Sequence, residues 1–227
     1  LNKNVFGFPI QWIPKNPRWQ NYVDIWTQIP LLTFVKNTVK ITVVVTLLQL
    51  FTSSFAAYAF AKMQFKGKNA LFLGYIATIA VPWQAYMVPQ FMMMSSWHLN
   101  NTHLAIMCLQ AFSAFGVFLM KQFYEGVPTE LCEAARIDGL SEYGIWWHIM
   151  LPLSLPALST LTIFTFVNTW NDFLGPLIYL TKTELKTIQI GLRMFITQYS
   201  AEYGLIMAAS VVALIPVLIV FLSLQKY

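Results

Sequence analysis

Nine acidic residues, three histidines and two cysteines are the catalytic and metal-ligating groups of this chain, and their spacing assembles no reactive constellation. His98 and His103 straddle the start of an apolar stretch with no further ligand nearby in sequence, so they read as an interfacial pair and not as a metal site. His148 lies beside Trp146 and Trp147, where amphipathic rings anchor a chain at a membrane edge. Cys108 reads as a small buried hydrophobe and Cys132 belongs to a more polar segment, which argues against a disulfide between them. Met92, Met93 and Met94 read as soft packing. No Gly-x-x-x-x-Gly-Lys-Ser/Thr loop is present to cradle ATP phosphates. An intramembrane enzyme would need paired acids or a Ser/His set, and Asp172 is the one clear acid inside an apolar stretch. The chemistry open to this chain is recognition and mechanical coupling.

Two polar stretches could carry it. The first runs from Thr129 to Pro152. Thr129 is placed to cap a helix after Pro128, with Glu130 in the first turn, where the positive helix end favours a carboxylate. Gly139 follows Asp138 as a stop that accepts positive φ. Ser141 caps a second helix, which Pro152 should end at Leu151. Ala134 and Ala135 carry almost no side chain, so another protein's groove could approach the first helix closely. An ordinary surface helical loop would look the same. The second stretch is Asn168, Asn171 and Asp172, with Asn168 and Asp172 one helical turn apart on one face. A carboxylate in hydrocarbon costs a few kcal/mol unless it meets water or a partner. This stripe therefore lines a pathway, meets a partner subunit, or fixes packing by hydrogen bonds. Gly175 and Pro176 should bend the helix just beyond it.

The elements that must position these groups are membrane spans. Hydrophobic residues make up 57% of the chain and charged ones 10%, against about a quarter charged in soluble domains. Stretches near 38–61, 70–94, 103–124, 155–180 and 203–224 each reach the roughly 20 apolar residues that cross a bilayer, and they are apolar on nearly all sides. The reading is all-α: a polytopic transmembrane helical bundle with five visible spans. Gly74, Pro82 and Pro89 interrupt the second span, as in a helix that moves or in one that is merely kinked. A net charge of +5 without a basic, aromatic-interleaved stripe excludes nucleic acid as a partner.

Glu133-Ala134-Ala135, then Gly139, then Ile149-x-Leu151-Pro152 resembles the signature loop of permease subunits in bacterial ABC importers. Asn37-Thr38-Val39-Lys40, Ala57-Tyr58-Ala59-Phe60-Ala61 and Trp170-Asn171-Asp172-Phe173 are similar to the carbohydrate-uptake branch, and within it to the smaller, second permease of maltose-type transporters. The resemblance covers roughly the whole chain. It implies the type I importer permease fold with six spans, hence a further helix ahead of Leu1 and a short tail after Tyr227. Residues 1–37 would then be extracytoplasmic and 38–227 the transmembrane permease domain, with 129–152 as a cytoplasmic coupling hairpin. Lysine counts alone are ambiguous: Lys62, Lys66 and Lys68 favour one face, whereas Lys182, Lys186 and Arg193 lie on the other.

The resemblance further implies that Glu133, Ala134, Ala135, Gly139, Ile149, Leu151 and Pro152 couple to an ATP-binding subunit dimer, which would hold ATP and Mg, leaving this chain without a cofactor or metal of its own. The remaining partners would be a second permease subunit, an extracytoplasmic solute-binding protein and membrane lipid. Asn168, Asn171 and Asp172 would belong to the translocation path or the permease interface, although in maltose-type importers the membrane sugar site belongs to the other permease. The polar segment 181–202 resembles the external loop that reaches toward the binding protein, with Gln189, Arg193 and Gln198 as polar contacts; a plain connector would also fit. The expectation is a non-enzymatic, multi-pass permease of the bacterial plasma membrane serving a sugar importer, with glycerol phosphate or a polyamine as alternative cargo.

Overall fold

A computed structural model describes residues 18–196 and 202–226. The mast of the fold is α2, Leu31–Lys62, whose 32 residues extend about 48 Å at 1.5 Å each. That exceeds the roughly 30 Å hydrocarbon core. It begins seven residues ahead of the predicted span, and a short helix α1, Asn21–Gln28, precedes it, so the predicted 1–37 segment is partly helical. Thr38, Thr42, Thr46, Ser53 and Ser54 form a buried stripe of small side chains along α2. Small residues let helix backbones approach closely in a bilayer. At the crossing with α6, Ala114–Glu125, a Cβ on Gly116 would lie 2.5 Å from Ser53 Oγ.

Two helices are long and apolar enough to cross a membrane unaided, α2 and α13, Tyr203–Leu224. Three bent pairs raise the total to as many as five spans among the described residues. The first joins α3, Lys68–Ala77, and its 3₁₀ extension to α4, Trp83–Ser96, through a 100° bend at Pro82. Its fixed φ and missing N–H end the preceding turn. The second joins α5, His103–Leu109, to α6 at 43°.

The third differs from the expectation. Glu142–Leu153 meets α10, Leu155–Trp170, at 80°. Pro152 does not end the helix at Leu151. The short helix α8, Glu142–Ile145, widens into a π segment, Trp146–Met150, and the Leu151 N–H donates to the Trp146 carbonyl. That longer register carries the chain into α9, Leu151–Leu153, and the break falls at Ser154. The predicted 155–180 span is also divided. Helix α10 stops at Trp170, and α11, Leu174–Tyr179, starts after three non-helical residues. The bend therefore precedes Gly175-Pro176. A proline ring clashes with the carbonyl four residues earlier, here Asp172, so the helix must open there.

Among the described residues, three apolar clusters knit these elements. One lies where the lower end of α2 meets α6 and the hairpin, around Tyr58, Tyr124, Cys132, Trp146 and Met150. A second gathers α1, α13 and α12, Ile188–Met194, around Ile25, Leu31 and Trp170. The third joins α2, α4 and α5 around Val45, Met94, Ile106 and Tyr179. Trp146 is thus buried, edge-on against Phe51 and Phe55, and only Trp147 is exposed at the predicted membrane edge. The two cysteines lie in different environments, as expected, but Cys108 is not the buried one. Cys108 is exposed and Cys132 is buried, because the helix carrying Cys132 turns that face onto Met150. His103 is buried with Nε2 2.9 Å from the Leu185 carbonyl oxygen, whereas His98 is exposed at φ 56°, so they do not act as a pair.

Candidate functional sites: a tethered hairpin and a polar cavity

The hairpin starts with α7, Thr129–Ile137, whose cap position is Pro128. Thr129 is therefore the first helical residue and not the cap. At the other end Gly139 has φ 85°, as expected. Its N–H donates to Arg136 O and that of Leu140 to Ala135 O, both at 3.0 Å, the paired bonds of a Schellman stop. Ser141 caps α8, accepting from the Gly144 N–H at 3.3 Å.

Of the predicted coupling residues, Glu133, Ala134, Gly139 and Pro152 are exposed together with Ile137 and Tyr143, at 87% and 69%. Ala135 is buried in the chain's own core, and Ile149 and Leu151 are half-buried against it, so these three support the hairpin from within. The tether itself uses residues that the motif does not contain. Arg136 Nε donates to Glu142 Oε1 at 2.7 Å and Nη2 to Oε2 at 3.3 Å, joining the two hairpin helices. Tyr58 Oη, from α2, donates to Glu142 Oε2 at 2.5 Å. Nearby, Lys62 Nζ donates to the Val127 carbonyl at 2.5 Å. The Arg136 bonds first, and the Tyr58 bond second, hold the Glu142 carboxyl below its ordinary range. Burial pushes the Cys132 thiol up, which leaves it unreactive. Tyr58 and Glu142 are 84 positions apart, and no local pattern links them.

The second site is a cavity of about 460 Å³ lined by Asn168 and Asp172. Gln49 of α2 donates from Nε2 to Gln110 O at 2.8 Å, and Thr52 donates to Ala111 O at 2.8 Å. These two bonds satisfy carbonyls that the α5–α6 break frees, as backbone in a membrane interior requires. Gln49 Oε1 accepts from Thr165 at 2.9 Å, and Gln110 Oε1 accepts from Thr169 at 3.2 Å. Gln110 Nε2 donates to Asp172 Oδ2 at 2.7 Å, and the Gly175 N–H donates to Oδ1 at 3.1 Å. With both oxygens accepting N–H bonds, Asp172 has the partners of a carboxylate; it joins packing to the cavity wall. Asn171 points elsewhere, accepting from Gln189 Nε2 at 3.1 Å. Gln49 and Gln110 were missed in sequence; the available signal was an amide inside each of two apolar stretches.

The predicted external segment is more structured than a loop. Helix α12 buries Ile188 and Ile190, and Gly191 lies so close to Phe34 that a Cβ would fall 2.5 Å from the ring. Asn37 Nδ2 donates to Glu184 O and Lys186 O, and Thr38 Oγ1 accepts from the Ile188 N–H. Gln189 is occupied by Asn171 and Trp170 O. Arg193 is exposed, and Gln198 lies outside the described residues. The described part of this segment, 181–196, sits at the start of α2, and the hairpin tether at its end. From Thr38 to Tyr58 is about 30 Å along the helix.

Residues 49–227 match the profile of the family described as binding-protein-dependent transport system inner membrane component. The arabinooligosaccharides transport system permease protein AraQ of Halalkalibacterium halodurans is 36% identical over 97% of this chain and 80% of its own length. The lactose transport system permease protein LacG of Rhizobium radiobacter is 35% identical over 92% and 76%. Among solved structures, a chain of a bacterial ABC transporter involved in import of the acidic polysaccharide alginate superposes with a TM-score of 0.88 at 25% identity, covering 99% of this chain and 84% of that one.

Proposed function

The chain belongs to the family of binding-protein-dependent transport system inner membrane components, and from that membership we propose that it is a membrane-spanning permease subunit of an ATP-driven sugar importer. The observation that carries the sugar assignment is identity of 35–36% over nearly the whole chain with permeases named for arabinooligosaccharides and lactose. A second permease completes the pathway. ATP and Mg reside on a dimer of ATP-binding subunits, and an extracytoplasmic solute-binding protein delivers the cargo.

The geometry provides the mechanical parts. Glu133, Ala134 and Gly139 present an exposed face to the ATPase, while Ala135, Ile149 and Leu151 root that face in the core. A push on the hairpin reaches α2 through Arg136, Glu142 and Tyr58. The segment 181–202, with Arg193 exposed, faces the binding protein at the opposite end of α2. Closure below and docking above bias one helix bundle between two states, which is alternating access.

The deciding experiment is uptake by the complete complex in liposomes with its binding protein. Arabinotriose or lactose should accumulate only with ATP inside. Accumulation of glycerol phosphate or a polyamine in place of both sugars would overturn the sugar assignment.

A further inference from the structure

We propose that the cavity at Asn168 and Asp172 is a saccharide-binding site carried by this chain itself, selective for neutral over acidic sugars; this rests on the sugar-importer reading. Three helix breaks converge on it: Trp83 follows the Pro82 bend, Gln110 and Ser113 flank the α5–α6 break, and Asp172 and Gly175 flank the α10–α11 break. Non-helical backbone within a membrane is tolerated where it is buried or lines a water-filled cavity, and discontinuous helices are how transporters build solute sites. The depth also fits. Gln49 lies 13 residues before the end of α2 at Lys62, about 20 Å from the hairpin end.

The lining matches sugar chemistry. About 460 Å³ falls within the roughly 300–1,000 Å³ of small-molecule sites. Trp83, Tyr86 and Phe112 supply ring faces whose negative quadrupole suits the positive C–H face of a sugar ring. Two polar groups of the lining have no hydrogen-bond partner among the described residues. The exposed Asn168 amide makes no hydrogen bond within the described chain, and Tyr179, 2% exposed, has a hydroxyl buried without a partner. An orphaned buried hydroxyl is costly, and a ligand hydroxyl at this wall would satisfy it. Among the described residues, no Lys, Arg or His lines the cavity, and Asp172 is its one acidic group. A uronate would therefore bring a second acidic group beside Asp172 with no cation to pair with it, whereas a neutral sugar brings none.

The test uses the assembled transporter with its partners. In a Cys108→Ala background, Asn168→Cys is labelled with a maleimide in the presence of arabinotriose, lactose or trigalacturonate. A neutral sugar should slow labelling several-fold and trigalacturonate should not. Separately, Tyr179→Phe removes only the orphan hydroxyl, so the chain should reach the membrane at normal levels while the transport KM for the neutral sugar rises about three- to tenfold. If the unsubstituted complex accumulates neither neutral sugar, the importer reading fails. If it accumulates one while labelling is unprotected and the Tyr179→Phe KM is unchanged, the importer reading stands and the site is not in this chain. Equal protection by trigalacturonate would overturn the charge selection.

Discussion

At the scale of single residues, the hairpin depends on one glycine and one carboxylate. Gly139 sits at φ 85°, where a β-branched side chain costs about 1–3 kcal/mol. Its own surroundings are open, so the penalty is conformational and local to the turn. Gly139→Val should therefore lower binding-protein-stimulated ATPase and transport together while sugar affinity of the binding protein is unchanged. Paired ATPase and uptake assays in one liposome preparation check this, and wild-type transport would remove the coupling role of the hairpin. Glu142 acts by joining Arg136 to Tyr58. Because folding lowers its pKa, its contribution is complete above the ordinary glutamate value of about 4.3 and is lost as pH falls below that through the depressed one. Hydrogen exchange of the Thr129–Pro152 hairpin should thus show equal protection at pH 7 and pH 5.5. Glu142→Gln should lose protection at both, since the amide cannot restore the ion pair.

At the scale of elements, close helix crossings set the tolerance to substitution. The α2–α6 crossing leaves no room for a side chain at Gly116, where Ser53 and Leu161 close the gap. Overpacking of this kind costs about 1–3 kcal/mol. Gly116→Leu should lower the thermal midpoint of the purified complex and its yield in membranes. By comparison, Gly74, whose Cβ would meet nothing within 4 Å, should accept alanine with little change. The α12 segment behaves as an element despite its polar approach, since Ile188, Ile190 and Gly191 press it onto α2. Arg193→Ala, an exposed change, should reduce transport stimulated by the binding protein without loss of complex assembly. Native gel mobility alongside uptake separates those outcomes.

At the scale of the whole molecule, α2 separates the two proposed docking ends by most of a bilayer thickness. Arg193 and Ile137 are exposed at opposite ends of that axis. In a Cys108→Ala background, an impermeant maleimide should label Arg193→Cys on intact cells and Ile137→Cys only after lysis. Cys132, buried with a raised pKa, should stay silent. The reverse pattern would invert the topology.

What the chain states by itself is local and compositional. Five apolar stretches follow from length and hydropathy, because burial in lipid needs only that every backbone group be bonded within its own helix. The Gly139 stop and the Ser141 cap were legible because each depends on a few neighbouring residues. The spacing from Glu133 to Pro152 spoke only through its resemblance to a permease signature loop. What failed was local reasoning applied where distant partners decide. Pro152 was expected to end a helix, but Leu151 bonds back to Trp146 in a wider turn. Ala135 looked like a contact for another protein, yet the fold buries it, and Cys108, judged buried from its apolar neighbours, faces out. The tether from Tyr58 to Glu142 and the amide chain from Gln49 through Gln110 to Asp172 span 84, 61 and 62 positions. Only tertiary structure brings such groups within about 3 Å. Hydrogen bonds demand that proximity, whereas hydrophobic patterning along one helix does not.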